Sequence, residues 1–189
     1  MVRLTRIYTK TGDAGETALG NGERVSKASL RVAAMGSVDE ANALIGVARL
    51  EAAKLPQSEP DEMLGRIQNE LFDLGADLCV PGEVANKLRV TPAQIERLER
   101  EIDRLNADLA PLTSFVLPGG ASAAAFLQAA RAVVRRAERE GWALAAAEAV
   151  SADSLRYLNR LSDHLFVLAR WINAQTGVGD VLWRPGEGR

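Results

Sequence analysis

The chain has 189 residues, the length of one ordinary domain, and its 47% of hydrophobic residues is enough to build a substantial core. Positive and negative charges nearly balance at a formal net charge of −2, which argues against a strongly basic nucleic-acid-binding protein. The one cysteine, Cys79, excludes an intrachain disulfide and a metal site built from several cysteines, as is typical of a reducing compartment. The first residues lack a signal-peptide core, and no apolar run is as long as a membrane span, so we expect a soluble, cytoplasmic protein.

Residues 1–36 are expected to form an extended N-terminal arm, because they lack a helical period and are punctuated by glycines. Within the arm, residues 9–17 read T-K-T-G-D-A-G-E-T, and Lys27 follows. Glycine allows successive backbone N–H groups to form an anion-binding concavity, and the adjacent lysine and hydroxyls favour phosphate. The spacing is that of neither the common P-loop nor a dinucleotide-binding fold, so a polar surface turn is the alternative interpretation.

Five helices are expected after the arm, and they predict an all-α protein of one domain. They run from Ser37 to before Pro56, over 61–79, from Thr91 to before Pro111, over 121–150, and from Ser151 to about Gln175. Capping boxes support two of the starts, with Ser37 paired to Glu40 and Thr91 paired to Gln94. Mostly short connections favour an antiparallel bundle over 37–176. The C-terminal tail, 177–189, is too short to classify.

The fourth predicted helix carries R-A-V-V-R-R-A-E-R at 131–139. Arg131, Arg135 and Arg139 recur every four residues, so they share one face, and Glu138 lies beside them. The forked donors of a guanidinium suit phosphate, so this face fits a clamp for a polyanion. A solvated helix face, or salt bridges between subunits, explains the same pattern equally well.

The fifth predicted helix carries R-Y-L-N-R-L-S-D-H at 156–164, where Arg156, Asn159, Arg160 and Asp163 share a face. An asparagine within a helix is mildly unfavourable, so Asn159 is expected to have a partner outside its own helix. The ribose or phosphate of a ligand is one candidate partner, and a hydrogen bond to a neighbouring helix is the other.

Several further residues are interpreted as structural. The only histidine, His164, cannot form a two-histidine metal site and is expected to be structural rather than catalytic. Cys79 is interpreted as a core residue, and Gly141 is expected to weaken the fourth helix slightly. The charges at 96–101 are interpreted as a solvated face. The chain thus offers many phosphate binders and few proton-transfer groups, which suits a reaction whose reactive atom a cofactor supplies.

Six motifs together resemble the PduO-type ATP:cob(I)alamin adenosyltransferases over nearly the whole chain. They are Y-T-K-T-G-D-A-G-E-T at 8–17, V-S-K with Lys27, G-S-V-D-E-A-N-A-L-I-G at 36–46, F-V-L-P-G-G at 115–120, R-A-V-V-R-R-A-E-R at 131–139 and Y-L-N-R-L-S-D-H-L-F at 157–166. Each motif alone could arise by chance, but all six in this order across a five-helix pattern are highly specific.

The resemblance implies a five-helix bundle that assembles as a homotrimer with active sites between subunits. It implies transfer of the 5′-deoxyadenosyl group of ATP to the Co(I) of a reduced corrinoid, giving adenosylcobalamin and triphosphate, with Mg²⁺ accompanying the phosphates. Cob(I)alamin is itself a strong nucleophile, so no general base is required. A corrinoid reductase and an adenosylcobalamin-dependent enzyme are implied as partners. The alternative is a bundle that binds ATP and corrinoid as a carrier without turnover.

The resemblance also assigns roles to individual residues. The implied ATP-binding residues are Thr9, Lys10, Thr11, Gly12, Thr17, Lys27, Arg135, Arg136, Glu138, Arg139 and Asn159. Asp39 and Arg131 would form a salt bridge across the subunit interface beside the corrinoid, and these two residues and Arg135 are the implied catalytic residues. Phe115 would pack near the lower face of the cobalt. Ala18 departs from the hydroxyl residue that some relatives have there.

Overall fold

The structure is a computed structural model that describes residues 7–82 and 87–187. Its elements, in chain order, are β1 (Glu16–Ala18), β2 (Arg24–Ser26), α1 (Leu30–Ala52), α2 (Glu59–Cys79), α3 (Pro92–Ala107), α4 (Ser122–Ala145) and α5 (Ala152–Gln175). The predicted five-helix bundle is confirmed, and the predicted bounds of α2 and α5 are correct to within two residues. Helix α3 begins one residue after Thr91 and ends at Ala107, four residues before Pro111.

Helix α1 begins seven residues earlier than the sequence predicted. Ser29 is its N-cap, and the Ser29 hydroxyl accepts a hydrogen bond from the backbone N–H of Val32 at 3.4 Å. The predicted start at Ser37 is wrong, because the buried positions Ala34 and Val38 continue one helical stripe through it. The hydroxyl of Ser37 is buried and donates to Glu140 Oε2 on α4 at 2.5 Å.

The N-terminal arm contains a β-hairpin that the sequence did not predict. Strands β1 and β2 pair antiparallel with Thr17 opposite Val25. The backbone N–H of Gly20 donates to Cys79 O at 3.0 Å and lies 3.0 Å from Cys79 Sγ, which attaches the hairpin to the end of α2. The interpretation of Cys79 as a core residue is therefore wrong, because this side chain is only partly buried and lies under the hairpin.

The helices pack around one apolar core, and most neighbours run antiparallel. Contacts pair Arg49 with Asp61 between α1 and α2, and Ser37 with Glu140 between α1 and α4. Helix α5 runs antiparallel to α4. The exception is the pair α3 and α5, which run parallel. Glu99 contacts Arg160 and Glu101 contacts His164, so the contacts advance in the same direction along both helices. Within the described ranges, no helix is both long enough and apolar enough to cross a membrane.

The charges at 96–101 on α3 were predicted to form a solvated face, and this prediction is wrong because several of them pair with neighbouring helices. Arg97 pairs with Glu70 at 2.5 Å, and Glu101 pairs with Arg66 at 2.7 Å. His164 is fully buried, with its Nε2 2.9 Å from Glu101 Oε2, as expected of a structural histidine. Burial raises the pKa of Glu101, but the hydrogen bond and charge of His164 and the charge of Arg66 outweigh it and leave this pKa lowered. Helix α3 is thus attached by charge as well as by apolar packing.

Helix α4 ends at Ala145, five residues before the predicted end. The following turn surrounds the side chain of Arg31, which is only 2% exposed. Its guanidinium pairs with Glu148 at 2.7 Å and donates to the backbone oxygen of Ala149 at 3.2 Å. Turning the chain here satisfies a buried charge that a continued helix would leave without these partners.

The C-terminal tail pairs with the loop between α3 and α4. The backbone N–H of Leu117 donates to Val181 O at 2.8 Å, and that of Trp183 donates to Phe115 O at 2.7 Å. A salt bridge between Arg170 and Asp180, 2.7 Å long, holds the tail against α5. Residues 180–183 of the tail, which the sequence left unclassified, therefore pack between that loop and α5.

Candidate functional site

The hairpin brings Lys27 to the glycine-rich loop at 9–17. A side chain on Gly12 would place its Cβ 3.0 Å from Lys27 Nζ, so glycine leaves room for the ammonium group. Lys10 has a φ of 62°, an uncommon conformation for a residue other than glycine. Thr9 and Thr11 lie on either side of it, with their hydroxyl oxygens 2.8 Å apart. The hairpin thus brings Lys27 to Gly12, in the loop that also carries Thr9, Lys10 and Thr11.

Thr17 occupies the centre of β1, where strand pairing fixes its backbone. Arg24 on β2 donates to the backbone oxygen of Thr11 at 2.9 Å and pairs with Glu16 at 3.3 Å. Arg24 was not predicted from the sequence as a site residue. It lies opposite Ala18 in the hairpin, close enough to hold the loop through Thr11 and Glu16. It fastens the loop to the hairpin.

Three arginines on one face of α4 stand apart from all others in the described part of the chain. Arg131, Arg135 and Arg139 have no carboxylate partner there, whereas every other described arginine forms an ion pair. Arg139 donates to the backbone oxygen of Arg135 at 3.3 Å. Because guanidinium groups stay charged and none of these three pairs with a carboxylate among the described residues, this face suits an anionic ligand.

Arg131 lies partly buried at one end of this face. Its Nε donates to Gln128 Oε1 at 2.9 Å, and its guanidinium carbon lies 5.9 Å from the centre of the Phe166 ring. Burial, followed by the positive charge of Arg135, lowers the pKa of Arg131. The guanidinium is thus oriented by an amide and an aromatic ring rather than by a carboxylate.

Glu138 and Asn159 meet between α4 and α5. Asn159 Nδ2 donates to Glu138 Oε1 at 3.0 Å, so the cross-helix hydrogen bond offered as one alternative is present. Arg136 lies elsewhere, facing α1, where it forms an ion pair with Glu40 and donates to Ser37 Oγ at 3.2 Å. The structure therefore groups Glu138 and Asn159 with the arginine face, and places Arg136 apart from it.

Phe115 and Arg131 line one cavity of about 610 Å³. Its other lining residues are Leu112, Thr113, Ser114, Val116, Phe166 and Trp183. Phe115 is 77% exposed, and its ring centre lies 5.9 Å from that of Trp183. The sequence did not single out Trp183, because the tail carries no periodic signal; the one available sign was an aromatic residue two positions before Pro185.

Asp39 lies in a different groove, between α1 and α2. That groove, of about 400 Å³, is lined mostly by apolar side chains and also by Cys79. One chain therefore does not bring Asp39 and Arg131 into the same cavity. In the described ranges, no cluster of three or more His, Cys, Asp or Glu side chains could hold a metal ion.

Comparison with known proteins gives the family. The family model described as cobalamin adenosyltransferase matches residues 7–172. The corrinoid adenosyltransferase of Mycobacterium tuberculosis (strain ATCC 25618 / H37Rv) is 50% identical over 193 residues, covering all of this chain and 97% of that protein. That of Bacillus subtilis (strain 168) is 45% identical, covering 93% of this chain and 91% of that protein.

A solved structure gives the same result. A variant of the PduO-type ATP:corrinoid adenosyltransferase of Lactobacillus reuteri, complexed with cobalamin and ATP, matches with a TM-score of 0.87 at 34% identity. The match covers 95% of this chain and 97% of that one. The resemblance carried by the six sequence motifs is confirmed, and this chain belongs to the cobalamin adenosyltransferase family.

Proposed function

We infer that this chain carries out the ATP-dependent adenosylation of a corrinoid, the activity for which its relatives are named. The enzyme transfers the 5′-deoxyadenosyl group of ATP to Co(I), giving adenosylcobalamin and triphosphate. The single observation that best supports this function in the structure is the face of α4 with three arginines that lack a carboxylate partner among the described residues. Such a face matches a substrate whose leaving group is a polyanion.

The chemistry requires charge stabilisation and alignment more than proton transfer. The Co–C bond forms with the electron pair of Co(I) while the bond between C5′ and its phosphate oxygen breaks, and negative charge grows on the triphosphate. Arg135 and Arg139 on α4, together with Lys27 beside the glycine-rich loop, would stabilise that charge. The only histidine is buried against Glu101, which agrees with a reaction that needs no general base.

The cavity lined by Phe115 and Arg131 is the surface that we propose binds the corrinoid. Phe115 presents an exposed ring, and Trp183 and Phe166 extend the apolar wall. An apolar wall at the lower face of the cobalt would exclude water or another ligand there, which would ease reduction of Co(II) to Co(I). Arg131 would contribute the charged edge of the same surface.

A homotrimer with active sites between subunits would complete the site. Asp39 and Arg131 lie in separate cavities of one chain, so a salt bridge between them needs a second copy. In such a trimer, we expect one subunit to supply the glycine-rich loop and another to supply the arginine face. The cytoplasmic location, the corrinoid reductase and the adenosylcobalamin-dependent partner enzyme also stay predictions.

Magnesium would accompany the triphosphate. Because the described residues contain no cluster of acidic or histidine ligands, the metal would be held mainly by phosphate oxygens. The carboxylate of Glu138 is a candidate for a further contact near the phosphates. The protein's contribution there is to position the anion to which the metal binds.

One experiment separates the enzyme from a carrier. The protein is mixed with ATP, Mg²⁺ and chemically reduced cobalamin, and the Co(I) absorbance and the released triphosphate are followed. An enzyme consumes Co(I) over many turnovers and releases one triphosphate for each adenosylcobalamin. A carrier stops at stoichiometric binding, and release of ADP or pyrophosphate would indicate a different reaction.

A further inference from the structure

Gln128 is a buried amide on α4 that does not line the cavity formed by Phe115 and Arg131. The residue is 5% exposed, and its Oε1 accepts a hydrogen bond from Arg131 Nε at 2.9 Å. Because a guanidinium has donors and no acceptor, the oxygen of the amide must face Arg131. A polar group buried without a partner costs free energy, so the contact with Arg131 accounts for an amide at this position.

The sequence of α4 gives Arg131 one hydrogen-bonding neighbour on its own helix face. Residues three and four positions away share that face, and they are Leu127, Gln128, Val134 and Arg135. Of these side chains, only the amide of Gln128 can accept a hydrogen bond. Among the described residues, Arg131 has no carboxylate partner, and its Nη1 and Nη2 atoms donate no hydrogen bond. The N–H groups on those two nitrogens can therefore bind a group from outside the chain.

The amide orients Arg131 without cancelling its charge. The Phe166 ring, 5.9 Å from the guanidinium carbon, likewise carries no net charge. A hydrogen bond to an ionised acceptor is stronger than one to a neutral acceptor, so a carboxylate at position 128 would hold Arg131 more tightly. Burial and the charge of Arg135 disfavour a charged guanidinium here, which would make such a carboxylate the preferred partner. The neutral acceptor leaves the positive charge of Arg131 available.

Asp39 is the carboxylate that would use this charge. It is exposed on α1 and forms no ion pair in the part of the chain that the structure describes. We propose that Gln128 is a positioning residue, which holds Arg131 by a neutral contact and keeps its charge for Asp39 of a second copy of the chain. The proposal rests on the proposed function, which includes a salt bridge between Asp39 and Arg131. Gln128→Glu would turn the orienting contact into an ion pair within one chain, and Asp39 would lose its partner.

The test changes the charge of the acceptor but not its size. Steady-state assays with ATP, Mg²⁺ and chemically reduced cobalamin measure kcat/KM for the corrinoid, and titration measures the Kd of ATP. We expect Gln128→Glu to lower kcat/KM by about 10-fold or more, although it still accepts a hydrogen bond from Arg131. Gln128→Met removes the acceptor without adding charge and should lower kcat/KM by about 3- to 10-fold. The Kd of ATP should stay near its wild-type value in both variants. Gln175→Glu, which adds the same charge at the exposed end of α5, is the control and should change neither quantity.

A double-mutant cycle tests whether Gln128 acts through Arg131 on Asp39. Gln128 lies on α4 and Asp39 in the groove between α1 and α2, so two independent losses of kcat/KM should multiply. If Gln128→Glu withdraws Arg131 from Asp39, it has little left to remove once Asp39→Asn is present. We expect the double variant to lie within about threefold of Asp39→Asn alone. A side chain that only filled space in α4 would not produce this coupling.

Wild-type activity in Gln128→Glu, or losses that multiply in the double variant, would overturn the role of Gln128 and leave the proposed function standing. Size-exclusion chromatography and thermal unfolding check that each variant folds. If Gln128→Glu does not fold, Gln128→Met enters the same cycle, and wild-type activity or multiplying losses there would overturn the role in the same way. A wild-type protein that forms no adenosylcobalamin would overturn the proposed function, and this proposal with it.

Discussion

The side-chain amide of Asn173 occupies the space that a side chain on Gly120 would need. A Cβ built on Gly120 would lie 2.2 Å from Asn173 Oδ1, and the same oxygen accepts the backbone N–H of Ala121 at 2.9 Å. Asn173 Nδ2 also donates to the backbone oxygen of Gly119 at 3.3 Å. The last turn of α5 therefore fixes the loop that presents Phe115.

Gly120→Ala is expected to disturb this loop. The new methyl group would displace Asn173, and the φ of 102° at position 120 disfavours any residue other than glycine. We expect a loss of at least about 1–3 kcal/mol in the free energy of unfolding, and a fall in corrinoid adenosylation. Denaturant unfolding and steady-state assays measure the two effects. Gly36→Ala, in α1 with no atom near the added Cβ, is the control and should stabilise by about 0.4–1 kcal/mol.

Arg135→Ala should lose most of the activity. We expect a cost of about 2–4 kcal/mol in transition-state stabilisation, or roughly 30- to 1,000-fold in kcat/KM, because the leaving triphosphate loses a charged donor. Arg100→Ala is the matched control, since Arg100 is an exposed arginine on α3 whose carboxylate partner, Glu96, lies 3.9 Å away. Turnover of Arg135→Ala close to that of the control would remove Arg135 from the site.

Phe115→Ala should slow turnover while leaving ATP affinity near its wild-type value. The ring lies on the proposed corrinoid surface, whereas Arg135 and Arg139, which would hold the phosphates, do not line that cavity. Because Phe115 is mostly exposed, we expect the unfolding midpoint to change little. Steady-state kcat and the Kd of ATP by titration are the two measurements. A large increase in the Kd of ATP would contradict the assigned role.

Glu101→Gln tests the charged attachment of α3. The variant removes the negative charge that faces Arg66 and the buried His164, and we expect a loss of about 1–3 kcal/mol in the free energy of unfolding at neutral pH. Glu96→Gln, an exposed change on the same helix, should cost almost nothing. Equal stabilities of the two variants would show that the network contributes no net stability.

The same carboxylate gives a pH dependence with a definite sign. Because the pKa of Glu101 in the folded protein is lower than its ordinary value of 4.5, its contribution to stability is present above that value. The contribution is lost as the pH falls further, through the folded pKa. Unfolding curves between pH 7 and pH 3 should therefore converge for wild type and Glu101→Gln at the acid end. A gap that stayed constant to the lowest pH would contradict this assignment.

The helices of this fold were largely predictable from sequence, because periodic apolar positions and Thr91 with Gln94 mark them directly. The start of α1 was not, since Ser37 and Glu40 match a capping box in sequence but lie inside a helix. Only the packed neighbour shows why: the Ser37 hydroxyl bonds to Glu140 on α4. A local motif cannot reveal that its polar group already has a distant partner.

The candidate site shows the same limit. Spacing alone grouped Arg131, Arg135 and Arg139 correctly on one face. It could not show that Arg136 pairs with Glu40 instead, because the four residues are chemically identical and differ only in what α1 places beside them. The hairpin and the tail were missed because strands of three residues or fewer carry no measurable period.

The pairing of the tail with the loop at 113–120 also fixes the order in which the protein can be completed. The backbone partners of Phe115 and Leu117 are Trp183 and Val181, which a ribosome makes more than sixty residues later. The loop cannot take this pairing until the tail has been made and has folded back against it. A chain that stopped short of Val181 would lack the backbone partners that hold the proposed corrinoid surface in place.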